Sequence, residues 1–248
     1  GINIAQKAAN NLTRYYLELG GNDAFVVMED ADLDLAVEQA LESRVNNAGQ
    51  VCCASKRYIV QESAAKAFTE KLIEALKKLK IGDPKDRSNQ VGGMISQKAR
   101  DEVIEQVQHT VSQGAKLVYG GEKWGNNFMS PAVLTNVTGE MDVAKDMEIF
   151  GAVFPIITYK ETEEAVKLVN NCPYGLNSAV FSKDMAKAIS FGEKIEAGGV
   201  VINGEQFDNW HDAQEKYGNG HGGRWGRPSG YTVQGEYFDT LEEARARY

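Results

Sequence analysis

The sequence predicts an α/β fold, a three-layer sandwich with helices on both faces of a mainly parallel sheet. The first supporting observation is periodicity, which switches repeatedly between helical and strand-like spacing along the chain. The second is the presence of short, unbroken apolar runs, residues 24–28 and 153–159, too short for helices and suited to strands buried on both faces. The third is composition. Of 248 residues, 42% are hydrophobic and 25% charged, ordinary values for a globular chain long enough to bury a core without disulfides or metals. Strands alternating with helices of about ten or more residues indicate βαβ units around a parallel sheet.

Taken in order, residues 4–12 read as a helix with small and apolar residues on one face, and 15–19 as a short strand running into the turn cluster Gly20, Gly21, Asn22, Asp23. A buried strand follows at 24–28. Asp32 can cap a helix through Leu33, Val37 and Leu41 that ends near Asn46–Gly49. Residues 56–60 read as a strand. Ser63 can cap an amphipathic helix over Phe68, Leu72, Leu76 and Leu79, stopped by Gly82. Residues 83–93 are polar and irregular. Ser96 can cap a helix through Val103, Ile104 and Val107 that stops at Gly114, and 117–119 are extended before Gly120 and Gly121 turn the chain. Then come a strand at 153–159, a helix capped by Thr162, a strand at 178–181, a helix capped by Asp184, and a strand at 200–202. The tail from Gly204 is rich in Gly, Asn, Asp, Trp and Tyr and reads as loops, with Thr240 able to cap a last helical stretch over 241–247.

Charge and cysteine usage narrow the function. The net charge is −8 and no basic patch is visible, which argues against nucleic acid as a partner. Lys77, Lys78 and Lys80 close an amphipathic helix and read as a solvated face. No run approaches ~18 apolar residues, and no basic-then-apolar leader is present, so no membrane association is expected. The chain starts at Gly1 rather than Met, which points to processing or an artificial boundary. Three cysteines, two of them the adjacent Cys52 and Cys53, form neither a disulfide framework nor a metal-ligand spacing. A reducing cytoplasmic location is expected, and no metal.

Three short segments carry chemistry. Gly49, Gln50, Val51, Cys52 and Cys53 place a thiol just after a glycine that permits close backbone approach. Backbone N–H groups at such a turn can favour a thiolate and bind a developing oxyanion. Glu18 lies between Leu17 and Leu19 ahead of Gly20 and Gly21, out of place for a core strand. A carboxylate there either faces solvent or serves as a general base at a cleft. Glu148 sits among Met147, Ile149 and Phe150 just ahead of a strand.

Together these segments resemble the aldehyde dehydrogenase superfamily. Residues 17–23 resemble its general-base signature, and residues 46–52 with Arg57 its cysteine signature. The 34-residue separation of Glu18 from Cys52 matches the family's spacing. Residues 30–34, 148–151, and 174–181 also fall in family order, and the resemblance covers about residues 1–204. It implies the fold of that family's catalytic domain, with Cys52 as the nucleophile forming a hemithioacetal and then a thioester, and Glu18 activating the hydrolytic water. It implies that Glu148 and Phe150 position the nicotinamide ribose of NAD or NADP, and that the Leu19 carbonyl meets the carboxamide. Phe207 and Trp210, with Tyr217, fall where the family's substrate channel is lined, around a small-molecule aldehyde.

The family's chain is about twice this long, and most of its dinucleotide-binding domain, with the asparagine of its oxyanion hole, lies upstream of the matched region. Residues 1–19 resemble the last helix and strand of that domain, 20–204 the thiol-bearing catalytic domain, and 205–248 a loop-rich tail or oligomerisation segment. Ala152 stands where the family usually has proline. The resemblance therefore implies either a homo-oligomer or pairing with a dinucleotide-binding domain, and no cofactor turnover by these residues alone. Two other readings stay open: a cofactor-independent thiol esterase, and a non-catalytic chain acting in assembly. A cysteine-protease reading would need a histidine near Cys52, and the sequence offers only His109, His211 and His221.

Overall fold

The computed structural model describes residues 1–204, 230–233 and 236–238. The helices are α1 (Ile2–Ala9), α2 (Leu33–Val45), α3 (Glu62–Leu76), α4 (Gln97–Ser112), α5 (Thr162–Asn170) and α6 (Met185–Gly192). The strands are β1 (Asp23–Val27), β2 (Ser55–Gln61), β3 (Lys116–Tyr119), β4 (Lys123–Trp124), β5 (Phe128–Met129), β6 (Ala132–Val137), β7 (Val153–Tyr159), β8 (Ser178–Phe181), β9 (Gly199–Ile202), β10 (Gly230–Val233) and β11 (Glu236–Phe238). Nine of them form one sheet in the order β11-β10-β9-β8-β1-β2-β7-β6-β3. All neighbours are parallel except β3 on β6 and β11 on β10, at the two edges.

The alternation of side chains along each strand builds the two outer layers. Phe25 and Val27 of β1, with Tyr58 and Val60 of β2, face α2 and α3 and pack with Ala36, Ala40, Phe68 and Leu72. Ala24 and Val26, with Ile59, face the opposite way toward Val103 and Val107 of α4, Val169 of α5 and Ile189 of α6. On the first face an aromatic row crosses the central strands. Phe25 lies 4.5 Å from Phe181 and 5.2 Å from Tyr58, which lies 5.2 Å from Phe154, ring centre to ring centre. Such spacings suit tilted or offset aromatic pairs.

Local chemistry fixes the helix starts. Asp32 accepts the Asp34 and Leu35 N–H groups, Ser96 accepts Ala99 N–H, and Asp184 accepts Lys187 N–H. Ser63 is not a cap. Gln61 takes that place, accepting Ser63 N–H, and α5 starts at Thr162 with Glu161 before it.

Three expectations are corrected. Residues 15–19 are not a strand: 13–22 have no regular secondary structure, because a strand exists only through a paired neighbour and none of the described strands pairs with this segment. The helix expected over 4–12 ends at Ala9, and Leu12 adopts φ 52°. The tail is not all loop, since β10 and β11 extend the sheet beyond β9. The sequence reading also passed over β6, whose alternation is broken where Asn136 takes φ 57° and the register shifts between Leu134 and Val137. The helical stretch expected over 241–247, with its Thr240 cap, lies outside the described residues.

The helix α1 buries none of its residues, and Ile2 and Ile4 are exposed. Stability therefore resides in the sandwich. Phe25→Ala is expected to cost about 3–5 kcal/mol by urea unfolding, whereas Ile4→Ser should change it by less than about 0.5 kcal/mol.

Candidate active site

Cys52 lies between α2 and β2, the two elements that frame the centre of the sheet. The connection begins with a short 3-10 turn, Asn46–Gly49, in which Asn47, Ala48 and Gly49 all take positive φ (49°, 56° and 81°). Three left-handed residues in succession reverse the chain sharply and leave carbonyls without helical or sheet partners. Gly49 is required there, since a Cβ would collide with the backbone of Gly151 and Ala152.

Buried cations take those carbonyls. Arg44, fully buried at the end of α2, donates from Nε to Val153 O (2.9 Å), from Nη2 to Ile149 O (2.7 Å) and from Nη1 to Gly49 O (3.4 Å). Burial lowers its pKa to about 10, still well above neutrality, so the guanidinium stays charged. Lys56, 1% exposed at the start of β2, donates to Cys52 O (2.7 Å), Val51 O (3.0 Å) and Ala54 O (3.3 Å). Its ammonium also pairs with Glu148 Oε1 at 3.2 Å. Burial, then repulsion from Arg44, pull the Lys56 pKa down, and Asp23 and Glu148 oppose the shift. Arg57 donates to Asn22 O, Leu168 O, Val169 O and Ala144 O, tying the segment before β1 to β2 and α5.

The residues named from the sequence divide into two sets. Cys52 and Cys53 are half-buried on the turn. Glu148 is drawn to that turn by Lys56, and its Oε1 also accepts Gly21 N–H at 3.2 Å. Phe150 is 42% exposed and lines, with Glu148, Gln50, Gln106, Ile95 and Met147, an open cleft of about 510 Å³. Gln50 fastens the turn to the cleft's far wall, accepting Ile95 N–H through Oε1 and donating through Nε2 to Asn47 O. Cys52 does not line this cleft, and neither do Glu18 and Leu19, which lie exposed on the irregular 13–22 segment. What connects that segment to the thiol is Gly20 and Gly21. A side chain at Gly20 would collide with the Glu148 carboxylate, and a Cβ at Gly21 would lie 2.6 Å from Cys52 O. Phe207, Trp210 and Tyr217, like His211 and His221, lie outside the described residues. His109 is a surface residue of α4 paired with Asp142 at 2.7 Å. Among the described residues no group of three or more His, Cys, Asp or Glu side chains is disposed to hold a metal, and no helix is long and apolar enough to cross a membrane.

Sequence reasoning missed Arg44 and Lys56. The signal was present: cations beside apolar positions at a helix end and a strand start need buried partners, the argument that had singled out Glu18.

The sandwich and its cation-bound thiol turn define a thiol-bearing α/β protein, and comparison with known proteins gives its family. The aldehyde dehydrogenase family model matches residues 1–240. The chain is 44% identical over 206 residues to succinate semialdehyde dehydrogenase (NAD(P)+) Sad of Escherichia coli, covering 82% of this chain and 44% of that protein. It is 40% identical over 196 residues to the cytosolic aldehyde dehydrogenase 1 of Rattus norvegicus, covering 78% and 39%. Among solved structures, the betaine aldehyde dehydrogenase of Staphylococcus aureus in complex with NAD+ superposes with a TM-score of 0.78 at 37% identity, over 82% of this chain and 41% of that one. The chain belongs to the aldehyde dehydrogenase family, and its fold is that family's α/β fold. It spans about two fifths of the length of the curated relatives it matches.

Two substitutions test the turn. Arg44→Met leaves its carbonyl partners buried without a donor and should cost about 3–5 kcal/mol. Gly49→Ala should lower the thermal midpoint by several degrees, because a strained φ adds to a collision with rigid backbone. Calorimetry of both variants checks this.

Proposed function

We propose that this chain carries the thiol chemistry of an NAD(P)-dependent aldehyde dehydrogenase, oxidising an aldehyde to a carboxylic acid through a thioester on Cys52. The observation that carries the reading is the half-buried Cys52 on a turn pinned by buried Lys56, with the Glu148–Phe150 cleft beside it.

The steps assigned to these residues are as follows. The Cys52 thiolate adds to the aldehyde carbon, forming a C–S bond and an oxyanion that accepts a hydrogen bond from the Cys52 N–H. Bound dinucleotide supplies the hydride acceptor. Glu18 then takes a proton from the water that attacks the thioester, releasing the acid and restoring the thiol. The assignment of Glu18 is supported by the close approach of its segment's end to the Cys52 peptide, where a Cβ at Gly21 would lie 2.6 Å from Cys52 O.

The residues present fit the nicotinamide half of such a cofactor. Glu148 offers carboxylate oxygens to ribose hydroxyls, Phe150 offers an exposed ring as a wall, and the Leu19 carbonyl offers an acceptor to the carboxamide. The described residues show no counterpart for the adenine half. Residues 1–19 are read as part of a dinucleotide-binding half, 20–204 as the catalytic half, and 205–248 as an assembly segment. The exposed Ile2, Ile4, Tyr16 and Leu19 support the first division. Homo-oligomerisation or pairing with a dinucleotide-binding half, and a cytoplasmic location, belong to the same reading. Phe207 and Trp210 remain the residues proposed for the substrate channel.

A second reading, a cofactor-independent thiol esterase, is favoured by one observation: the thiol turn is complete within the described residues. Esters enter at the acyl stage and need no hydride acceptor.

Intact mass after incubation with p-nitrophenyl acetate tests both. One acetyl group on the native chain and none on Cys52→Ala is expected; equal labelling of the two contradicts the assignment of the nucleophile. Glu18→Gln should accumulate the acyl-enzyme, with hydrolysis slowed about 100-fold or more. An unchanged hydrolysis rate removes Glu18 from its role. NAD+ or NADP+ with an aldehyde should give no reduced nicotinamide from this chain alone.

A further inference from the structure

We infer that Lys56 is a positioning residue for the oxyanion donor: by taking the Val51 and Cys52 carbonyls it aims the Cys52 N–H away from the core. The inference rests on the reading of Cys52 as nucleophile.

The argument starts from the peptide group. A trans peptide is planar, and its carbonyl oxygen and amide hydrogen point in opposite directions. No cis peptide occurs here. Val51 O accepts from Lys56 Nζ at 3.0 Å, so the N–H of the same peptide, that of Cys52, must point away from the ammonium. Among the described residues this N–H has no acceptor of its own, so it is available as a donor. The next peptide is fixed likewise, its Cys52 O held by Lys56 at 2.7 Å and crowded from the other side by Gly21. One buried ammonium thus binds both peptides flanking the nucleophile, and Ala54 N–H adds a longer bond to Val51 O at 3.4 Å.

The Lys56 side chain is itself held. Glu148 Oε1 pairs with it at 3.2 Å, and the same oxygen accepts Gly21 N–H. Burial to 1% exposure removes competing water. Without the ammonium, Val51 O would keep only the longer bond from Ala54 N–H at 3.4 Å, and Cys52 O would lose its 2.7 Å donor.

Two thiol reactions separate this role from general support. In acylation by p-nitrophenyl acetate, the Cys52 sulfur bonds to the carbonyl carbon, the oxygen becomes an oxyanion, and p-nitrophenolate then leaves. In alkylation by iodoacetamide, sulfur displaces iodide from a CH₂ group and no oxyanion forms. Losing one oxyanion donor costs about 100–1000-fold in rate. In Lys56→Met, which keeps side-chain volume and removes the donors, the acylation rate at Cys52 should fall at least about tenfold, while alkylation at Cys52, read by peptide mass, stays within about twofold. Alkylation of Cys172 in the same chain reports whether the fold is intact. Equal losses in both reactions, or no loss in either, overturn the inference. Should Lys56→Met fail to fold, the same ratio is read on Lys56→Gln, whose shorter amide cannot reach the carbonyl set and should still lower acylation selectively; an unchanged ratio there overturns it. A native chain that does not acylate at Cys52 overturns the nucleophile reading, and this inference with it. A native chain that acylates, with a Lys56→Met ratio unchanged, overturns this inference alone.

Discussion

Buried cations bound to backbone carbonyls are the constraint on which the site depends. Arg44, Lys56 and Arg57 are each nearly inaccessible, and each spends its donors chiefly on main-chain oxygens of loops, a helix end and the start of β7. Local bonds cover Asn47 O and Gln50 O of the turn, and the cations take Gly49 O, Val51 O and Cys52 O. Placing long charged side chains under the turn satisfies these carbonyls without adding secondary structure, so the turn stays open on its outer side. Desolvating three cations is costly and is tolerated because each is multiply hydrogen-bonded. The sandwich supplies the dry frame, and the cations convert that frame into a fixed geometry around one thiol.

The same arrangement joins segments far apart in sequence. Glu148, from the loop before β7, reaches Lys56 at the start of β2 and Gly21 before β1. Arg57 binds Asn22 O, so the glycine pair that follows Glu18 is anchored at its far end. The carboxylate facing the cleft, the thiol turn and the end of the base-bearing segment thus meet at one ammonium.

Much of this was legible from residue order. The buried strands β1, β7 and β8 were visible as apolar runs between turn signals, and Asp32, Ser96 and Asp184 announced their helices through capping chemistry. Cys52 and Glu148 were legible as residues out of keeping with their neighbours. What was not legible depends on distant partners. Strand formation at 15–19 needs a neighbour that the described sheet does not provide, while β6 hides its alternation behind a bulge at Asn136. The edge strands β10 and β11 lie in a segment whose glycine and polar content reads as loop, and their order comes from pairing with β9. Lys56 stood out as a cation at the start of a buried strand, but its partners are backbone atoms, so residue order does not say which segments it binds.

The central claim is that the thiol turn is preformed by the core of this chain. Hydrogen–deuterium exchange resolved across residues 46–54 tests it most directly. The account predicts slow exchange at two bonded amides of this stretch, Gln50 N–H and Ala54 N–H, with residues 13–22 exchanging far faster. Exchange across 46–54 as fast as across 13–22 would contradict it, because the cations would then not be holding the turn.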